Sequence, residues 1–378
     1  MEKKEIPVLL LTGYLGSGKT TLLNRILANE KGIKFAVIVN DIGEVNIDAD
    51  LVEKDGIVGQ KDDSLVALQN GCICCTLKMD LVQQLSEIVD MQKFDYIVIE
   101  ASGICEPAPI AQTISAYPQM YPEYAKNGVC RVDNIVTVVD AMRMRDEFAN
   151  GTNLTAGNFD EDDLESLVIQ QVEFCTTILL NKASEVSPED LEKVTQILHT
   201  LQPHADIIPC DYGNVDLDKL INAHKFDFNK VATSARWIEA IEGEEEDLEN
   251  EESGEALEYG IGTFVWTARR PLDLSRFDEF VARKFPKSVI RCKGICYFKD
   301  EADTCYVFEQ AGRQIGLRNA GQWYATMPAD QLQEMMQRYP KLQKDWDETY
   351  GDRMQKLVFI GQDMDKDDIC SELEKCLD

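Results

Sequence analysis

The sequence predicts an α/β domain with a mostly parallel sheet, followed by a smaller α+β domain. Three observations lead there. Short apolar runs alternate with amphipathic stretches from residue 6 to about 230, the rhythm of strands joined by crossover helices. The first run leads into Gly13-Tyr14-Leu15-Gly16-Ser17-Gly18-Lys19-Thr20, a glycine-rich turn between a strand and a helix. A Glu-rich stretch near residues 239–258 then breaks the pattern, and shorter strands and helices follow it.

The apolar runs of the first domain are Val8 to Thr12, Lys34 to Asn40, Tyr96 to Glu100, Ile135 to Asp140, Thr177 to Asn181 and Asp206 to Pro209. Leu22, Leu23, Ile26 and Leu27 fall at helical spacing within Thr20 to Asn29, so Gly13 to Lys19 is the strand-to-helix turn. This domain is placed at residues 1–232, with a flexible acidic linker at 233–258, because repelling like charges with few apolar residues among them cannot build a core. Residues 259–378 form the second domain. Strands are expected at Thr263 to Thr267, Ser288 to Phe298, Cys305 to Glu309 and Val358 to Gly361, and helices at Leu274 to Phe285, Ala329 to Tyr339 and Lys366 to Leu377.

Length and composition suit a mostly globular protein: 378 residues, 44% of them hydrophobic. No stretch approaches the ~20 apolar residues that span a bilayer, and the apolar run Ile6 to Thr12 is too short for a signal sequence. A cytoplasmic location is expected. A formal net charge of −30 disfavours nucleic acid and anionic membrane surfaces, which recruit Lys and Arg. Neither partner is expected.

Gly13-x-x-x-x-Gly18-Lys19-Thr20 is a complete Walker A motif, marking a phosphate-loop NTPase domain. Its glycines, Gly13, Gly16 and Gly18, let backbone N–H groups turn toward phosphates. Lys19 reaches the β- and γ-phosphates, and the Thr20 hydroxyl ligates Mg²⁺ at the positive end of a helix. Glu100, closing the run Tyr96 to Glu100, either holds Mg²⁺ or positions the attacking water, and Gly103 offers its N–H to the γ-phosphate. The alternative for Glu100 is an ordinary strand-end carboxylate. Asn181-Lys182-Ala183-Ser184-Glu185 resembles the guanine-reading Asn-Lys-x-Asp, but Ser184 stands where the Asp belongs. Either Glu185 reaches around or Ser184 makes one weaker bond. Losing the charged contact costs about 1.5–3 kcal/mol, one to two decades of GTP over ATP preference.

Of 12 cysteines, Cys72, Cys74 and Cys75 cluster within Gly71-Cys72-Ile73-Cys74-Cys75-Thr76. Three soft thiolates so close suit Zn²⁺, Cu⁺, Co²⁺ or Fe²⁺ and leave one tetrahedral position open. Core burial, the usual role of a free cysteine, does not explain three in four residues after an Asn-Gly turn. In Asn40-Asp41-Ile42-Gly43-Glu44, Asp41 contacts Mg²⁺ or the attacking water, and Glu44 completes the transition-metal site as a harder ligand. A strand-end turn with solvated acids is the competing reading. Cys292 and Cys296 fit core packing, and His199, His204 and His224 are isolated.

Together these motifs resemble the CobW-type metallochaperone GTPases over nearly the whole chain. The resemblance rests on residues 13–21, 40–44, 70–76, 100–107 and Val138 to Ala141, and in the second domain on Arg291-Cys292-Lys293-Gly294 and Gln355 to Gly361. It implies GTP and Mg²⁺ as cofactors, with Zn²⁺ (or Co²⁺) held by Cys72, Cys74 and Cys75. It also implies a nucleotide site at Gly16, Ser17, Gly18, Lys19, Thr20 and Thr21, with Asn181 and Lys182 near the base, a client apo-metalloprotein as partner, and transfer of metal driven by GTP hydrolysis. A homodimer is left open. A nucleotide-binding metal buffer or sensor without delivery is the alternative, and a phosphate-loop kinase would leave the cysteines without a role.

Overall fold

A computed structural model describes residues 4–28, 32–39, 67–69, 78–103, 105–148, 162–233, 235, 260–312, 314–344 and 346–378. The chain divides into two compact units, Met1–Ala235 and Arg236–Asp378. Asp41, Glu44, Cys72, Cys74, Cys75 and most of the acidic stretch lie outside the described residues.

The first unit is a seven-stranded sheet in the order β3-β2-β4-β1-β5-β6-β7. Its strands are β1 Lys4–Thr12, β2 Phe35–Val39, β3 Ala67–Gln69, β4 Tyr96–Glu100, β5 Gly128–Asp140, β6 Thr177–Asn181 and β7 Asp206–Pro209. Every pairing is parallel. A parallel sheet is covered on both faces, so its strands read as unbroken apolar runs; β2, β4 and β6 are buried at every position. Helix α1, Lys19–Leu27, packs Leu22, Leu23 and Ile26 against Leu9, Leu11, Val98 and Val136 on one face. The alternate residues Leu10, Ile97, Ile99 and Ile135 point the other way and are equally buried. Helices α2 Lys78–Met91, α3 Pro107–Met120, α4 Ala141–Phe148, α5 Asp162–Glu173, α6 Pro188–Leu201 and α7 Phe228–Thr233 complete the unit.

Strand β5 begins seven residues before the expected Ile135, at Gly128. Arg131, Asp133 and Asn134 interrupt its apolar pattern, yet Asp133 and Asn134 are fully buried. Their polar atoms are satisfied: Tyr96 Oη–H donates to Asp133 Oδ2 at 2.7 Å, and the N–H groups of Ala223 and His224 donate to the same carboxylate at 3.0 Å. Asn134 Nδ2–H donates to Leu220 O at 3.1 Å. Buried polar groups are tolerated where partners meet them.

The second unit is a five-stranded antiparallel sheet, order β11-β10-β9-β12-β8. It comprises β8 Ile261–Ala268, β9 Val289–Cys296, β10 Thr304–Ala311, β11 Gln314–Gln322 and β12 Gln355–Gln362. Helix α8, Leu274–Glu279, continues as a π-turn over Phe280–Lys284, and α9 Ala329–Arg338, α10 Pro340–Lys344 and α11 Lys366–Lys375 follow. Its core is aromatic. Phe264 stacks on Phe359 at 5.0 Å between ring centres, and Phe277 meets Phe308 edge-on at 5.2 Å. Cys292 and Cys296 lie fully buried in that core. Among the described residues no helix is long and apolar enough to cross a membrane.

Candidate nucleotide site

The first unit places its polar residues at the carboxyl ends of β1, β4, β5 and β6, the crevice where open parallel sheets bind ligands. The turn from β1 to α1 holds Gly13, Gly16 and Gly18 at positive φ, Gly18 at 108°. A Cβ on Gly18 would lie 2.4 Å from Asn181 Nδ2, so the residue must be glycine for packing as well as for conformation. Helix α1 begins with no side-chain cap and no acid in its first turn. The first backbone bond of the helix runs from Leu22 N–H to Gly18 O at 3.0 Å. Such an end directs its first-turn N–H groups outward and favours an anion.

Lys19 is nearly buried and folds back over the loop, its Nζ donating to Gly13 O at 2.7 Å and Tyr14 O at 3.2 Å. Ser17 Oγ is buried and makes no hydrogen bond among the described residues. A buried hydroxyl is costly unless something meets it, and phosphate oxygens would. Thr20 Oγ1–H donates to Glu100 Oε1 at 3.2 Å, joining α1 to the end of β4. Two hard oxygens side by side suit Mg²⁺. Gly103, beyond β4, packs on the loop so closely that a Cβ there would lie 2.9 Å from Leu15 N. Ser17, Lys19, Thr20, Glu100 and Gly103 are thus brought together.

Asn181 behaves as a strut. Its Nδ2–H donates to Ser17 O at 2.8 Å, and its Oδ1 accepts from Gly213 N–H at 3.1 Å. The side chain expected near the base therefore also holds the phosphate loop. Lys182 sits at a φ of 59° and pairs its amine with Asp140 Oδ2, at the end of β5. Ser184 donates its N–H and its Oγ–H to Asp211 Oδ1, at 3.0 and 2.9 Å.

Residues 7–209 match the family described as CobW/HypB/UreG, nucleotide-binding domain, and residues 261–377 match the Cobalamin synthesis protein cobW C-terminal domain. This chain belongs to the CobW family. A Dictyostelium discoideum protein named "Zinc-regulated GTPase metalloprotein activator 1" is 34% identical over 390 residues, covering 99% of this chain and 80% of its own length. An Escherichia coli protein named "Zinc chaperone YjiA" is 32% identical over 239 residues, 61% of this chain and 66% of its own. The crystal structure titled Zn(II)-bound YjiA GTPase from E. coli is 21% identical, covering 99% of this chain and all of its own, with a TM-score of 0.42.

In this CobW chain several residues around the site escape sequence reasoning. Tyr14, inside the loop, is 2% exposed; its hydroxyl donates to Asp140 O at 3.3 Å and accepts from Asp140 N–H at 3.0 Å. Arg143 lies over its ring at 5.1 Å. Asp140 thus ties the phosphate loop to the Lys182 turn. Gln171, fully buried on α5, donates from Nε2 to Gly103 O at 3.4 Å and Cys105 O at 3.1 Å, holding the turn that leaves β4. The one local signal for Gln171 is the glutamine pair Gln170-Gln171 between Val168-Ile169 and Val172. Burial, then the neighbouring Asp211 carboxylate, pushes the Cys210 thiol up to about 11.

Proposed function

We propose that this CobW-family protein is a GTP-dependent zinc metallochaperone. Zinc is its cargo, bound by the thiolates of Cys72, Cys74 and Cys75 with Glu44 as a harder fourth ligand. GTP hydrolysis then drives transfer to a client apo-metalloprotein. The observation that carries this reading is the identity, across both units, with a protein named as a zinc-regulated GTPase metalloprotein activator.

The residues present suit GTP and Mg²⁺. Lys19 would hold the β- and γ-phosphates, together with the backbone N–H groups from Gly16 to Thr21. Thr20 and Glu100 would hold Mg²⁺, which would supply neutralisation of the phosphate charge. Asp41 is assigned to the attacking water or to the metal, and Gly103 N–H to the γ-phosphate. Asn181 and Gln171 keep these groups in place.

A structural zinc site binds its ion by roughly 10–16 kcal/mol, too tightly for unaided release, so delivery requires a switch. Segments 40–44 and 70–76 precede β4 in the chain, and loss of the γ-phosphate would move them. Zinc affinity measured with GTP, with GDP and without nucleotide, alongside GTP turnover, tests this. The expected result is a lower affinity with GDP, and zinc transfer to a candidate apo-enzyme only while GTP turns over. Equal affinity in all three states would leave a buffer rather than a carrier.

A further inference from the structure

Guanine differs from adenine in presenting two adjacent donors, N1–H and the N2 amino group, which a carboxylate accepts together. The turn after β6 has no carboxylate at residue 184. Glu185 is exposed at the end of the 3₁₀ turn Ala183–Glu185, with its N–H bonded to Lys182 O at 3.0 Å. A different carboxylate already sits on this turn. Asp211, from the loop after β7, has Oδ1 3.0 Å from the backbone nitrogen of Ser184 and 2.9 Å from its side-chain Oγ, so it sits beside the side chain of residue 184.

The loop that presents Asp211 is held at both ends. Cys210 N–H donates to Leu180 O at 2.9 Å, Ala183 N–H donates to Cys210 O at 3.1 Å, and Gly213 N–H meets Asn181. Arg25 of α1 donates to Tyr212 O at 2.7 Å and Asn214 Oδ1 at 3.2 Å. The carboxylate is therefore positioned relative to the same helix that begins at the phosphate loop. The nearby amine, Lys182, is engaged with Asp140, and among the described residues Asp211 forms no ion pair and its Oδ2 takes no hydrogen bond. An ionised carboxylate has about four acceptor sites. The Ser184 hydroxyl rotates about its Cβ–Oγ bond, so it releases an Oδ1 lone pair when a ligand donor arrives.

We propose that Asp211 carries the guanine-reading carboxylate of this protein, supplied from the loop after β7 and seated on Ser184. This rests on the reading of the nucleotide as GTP. It also removes the apparent loss of guanine preference that Ser184 brings.

The test is nucleotide competition on the full-length protein with GTP, ATP and XTP, for the wild type, Asp211→Asn and the exchange Ser184→Asp with Asp211→Ser. Xanthine carries a carbonyl where guanine carries the amino group, so an asparagine amide fits it with one acceptor and one donor. Asp211→Asn is expected to weaken GTP by about ten- to a hundredfold, the worth of a charged hydrogen-bond pair, to leave ATP unchanged and to strengthen XTP. The exchange is expected to restore GTP preference. A wild type that binds ATP as well as GTP overturns the GTP reading itself. A wild type that prefers GTP while Asp211→Asn keeps that preference, or loses all three nucleotides equally, overturns the assignment to Asp211 alone.

Discussion

At the scale of single residues, the site depends on a few side chains that each serve two neighbours. Asn181 bonds the phosphate loop through one end of its amide and Gly213 through the other. Removing it should loosen the phosphate loop whatever base is bound and also free the loop that carries Asp211. We expect Asn181→Ala to weaken ATP and XTP as well as GTP by roughly tenfold or more, with GTP losing most, from two hydrogen bonds worth about 0.5–1.5 kcal/mol each, read by the same competition. Thr20→Ala removes the hydroxyl beside Glu100. GTP turnover at fixed Mg²⁺ should fall by at least about tenfold, while GDP binding measured without Mg²⁺ should hardly change; a loss of both would assign Thr20 to folding. The glycines and Lys19 were legible because the motif encloses them within eight residues. Asp140, Gln171 and Asp211 were not: their partners lie 126, 68 and 27 residues away in the chain, beyond any local pattern.

At the scale of elements, β4 and β6 have the bounds their apolar runs suggest, because a fully buried strand is written as an uninterrupted run. Strand β5 was half legible for the opposite reason, since Asp133 and Asn134 are buried by pairing rather than by apolarity. Strand β11 was missed. It is the edge of its sheet, almost wholly exposed, and Gly316 and Gly321 dilute its strand character. The Asp133 cluster offers a stability test: Tyr96→Phe leaves one buried carboxylate oxygen short of a donor and should cost about 1–3 kcal/mol by urea unfolding. Asp133→Ala strands the N–H groups of Ala223 and His224 as well and should cost more. An Asp133→Ala protein as stable as the wild type would show that water satisfies this loop.

At the scale of the whole molecule, the cysteines divide by chemistry. Burial raises the thiols of Cys130 and Cys175 to about 12 and those of Cys210 and Cys376 to about 11. These groups stay neutral in the folded state, whereas an unfolded chain would ionise them near pH 8.5. A raised folded pKa stabilises below the unfolded value and that contribution is lost on going up, so stability should decline from about pH 9 to pH 12. Urea midpoints across that range check it, and midpoints that hold level would remove the buried thiols from the account. At pH 8 a limiting amount of iodoacetamide should label Cys72, Cys74 and Cys75 first in the zinc-free protein, and excess zinc should protect them. Mass spectrometry of the peptides reads both. The two-unit organisation was legible in the sequence because the acidic stretch interrupts every apolar period, whereas the full parallel character of the first sheet depends on pairings between distant strands.

That strand order has a consequence for biosynthesis. Strand β1 lies between β4 and β5, and its register partners begin at Ile97 on one side and Gly128 on the other. At about 5–20 residues per second of translation, the apolar stretch from Val8 to Leu11 waits several seconds for its first neighbour and longer for its second. Through that interval an aggregation-prone segment is exposed on the ribosome. The second unit pairs β9 with β10 and β10 with β11 across short connections, and it can begin folding as soon as those strands emerge. Demand for a holding chaperone on the nascent chain should therefore fall on the first unit and end once β5 has been made.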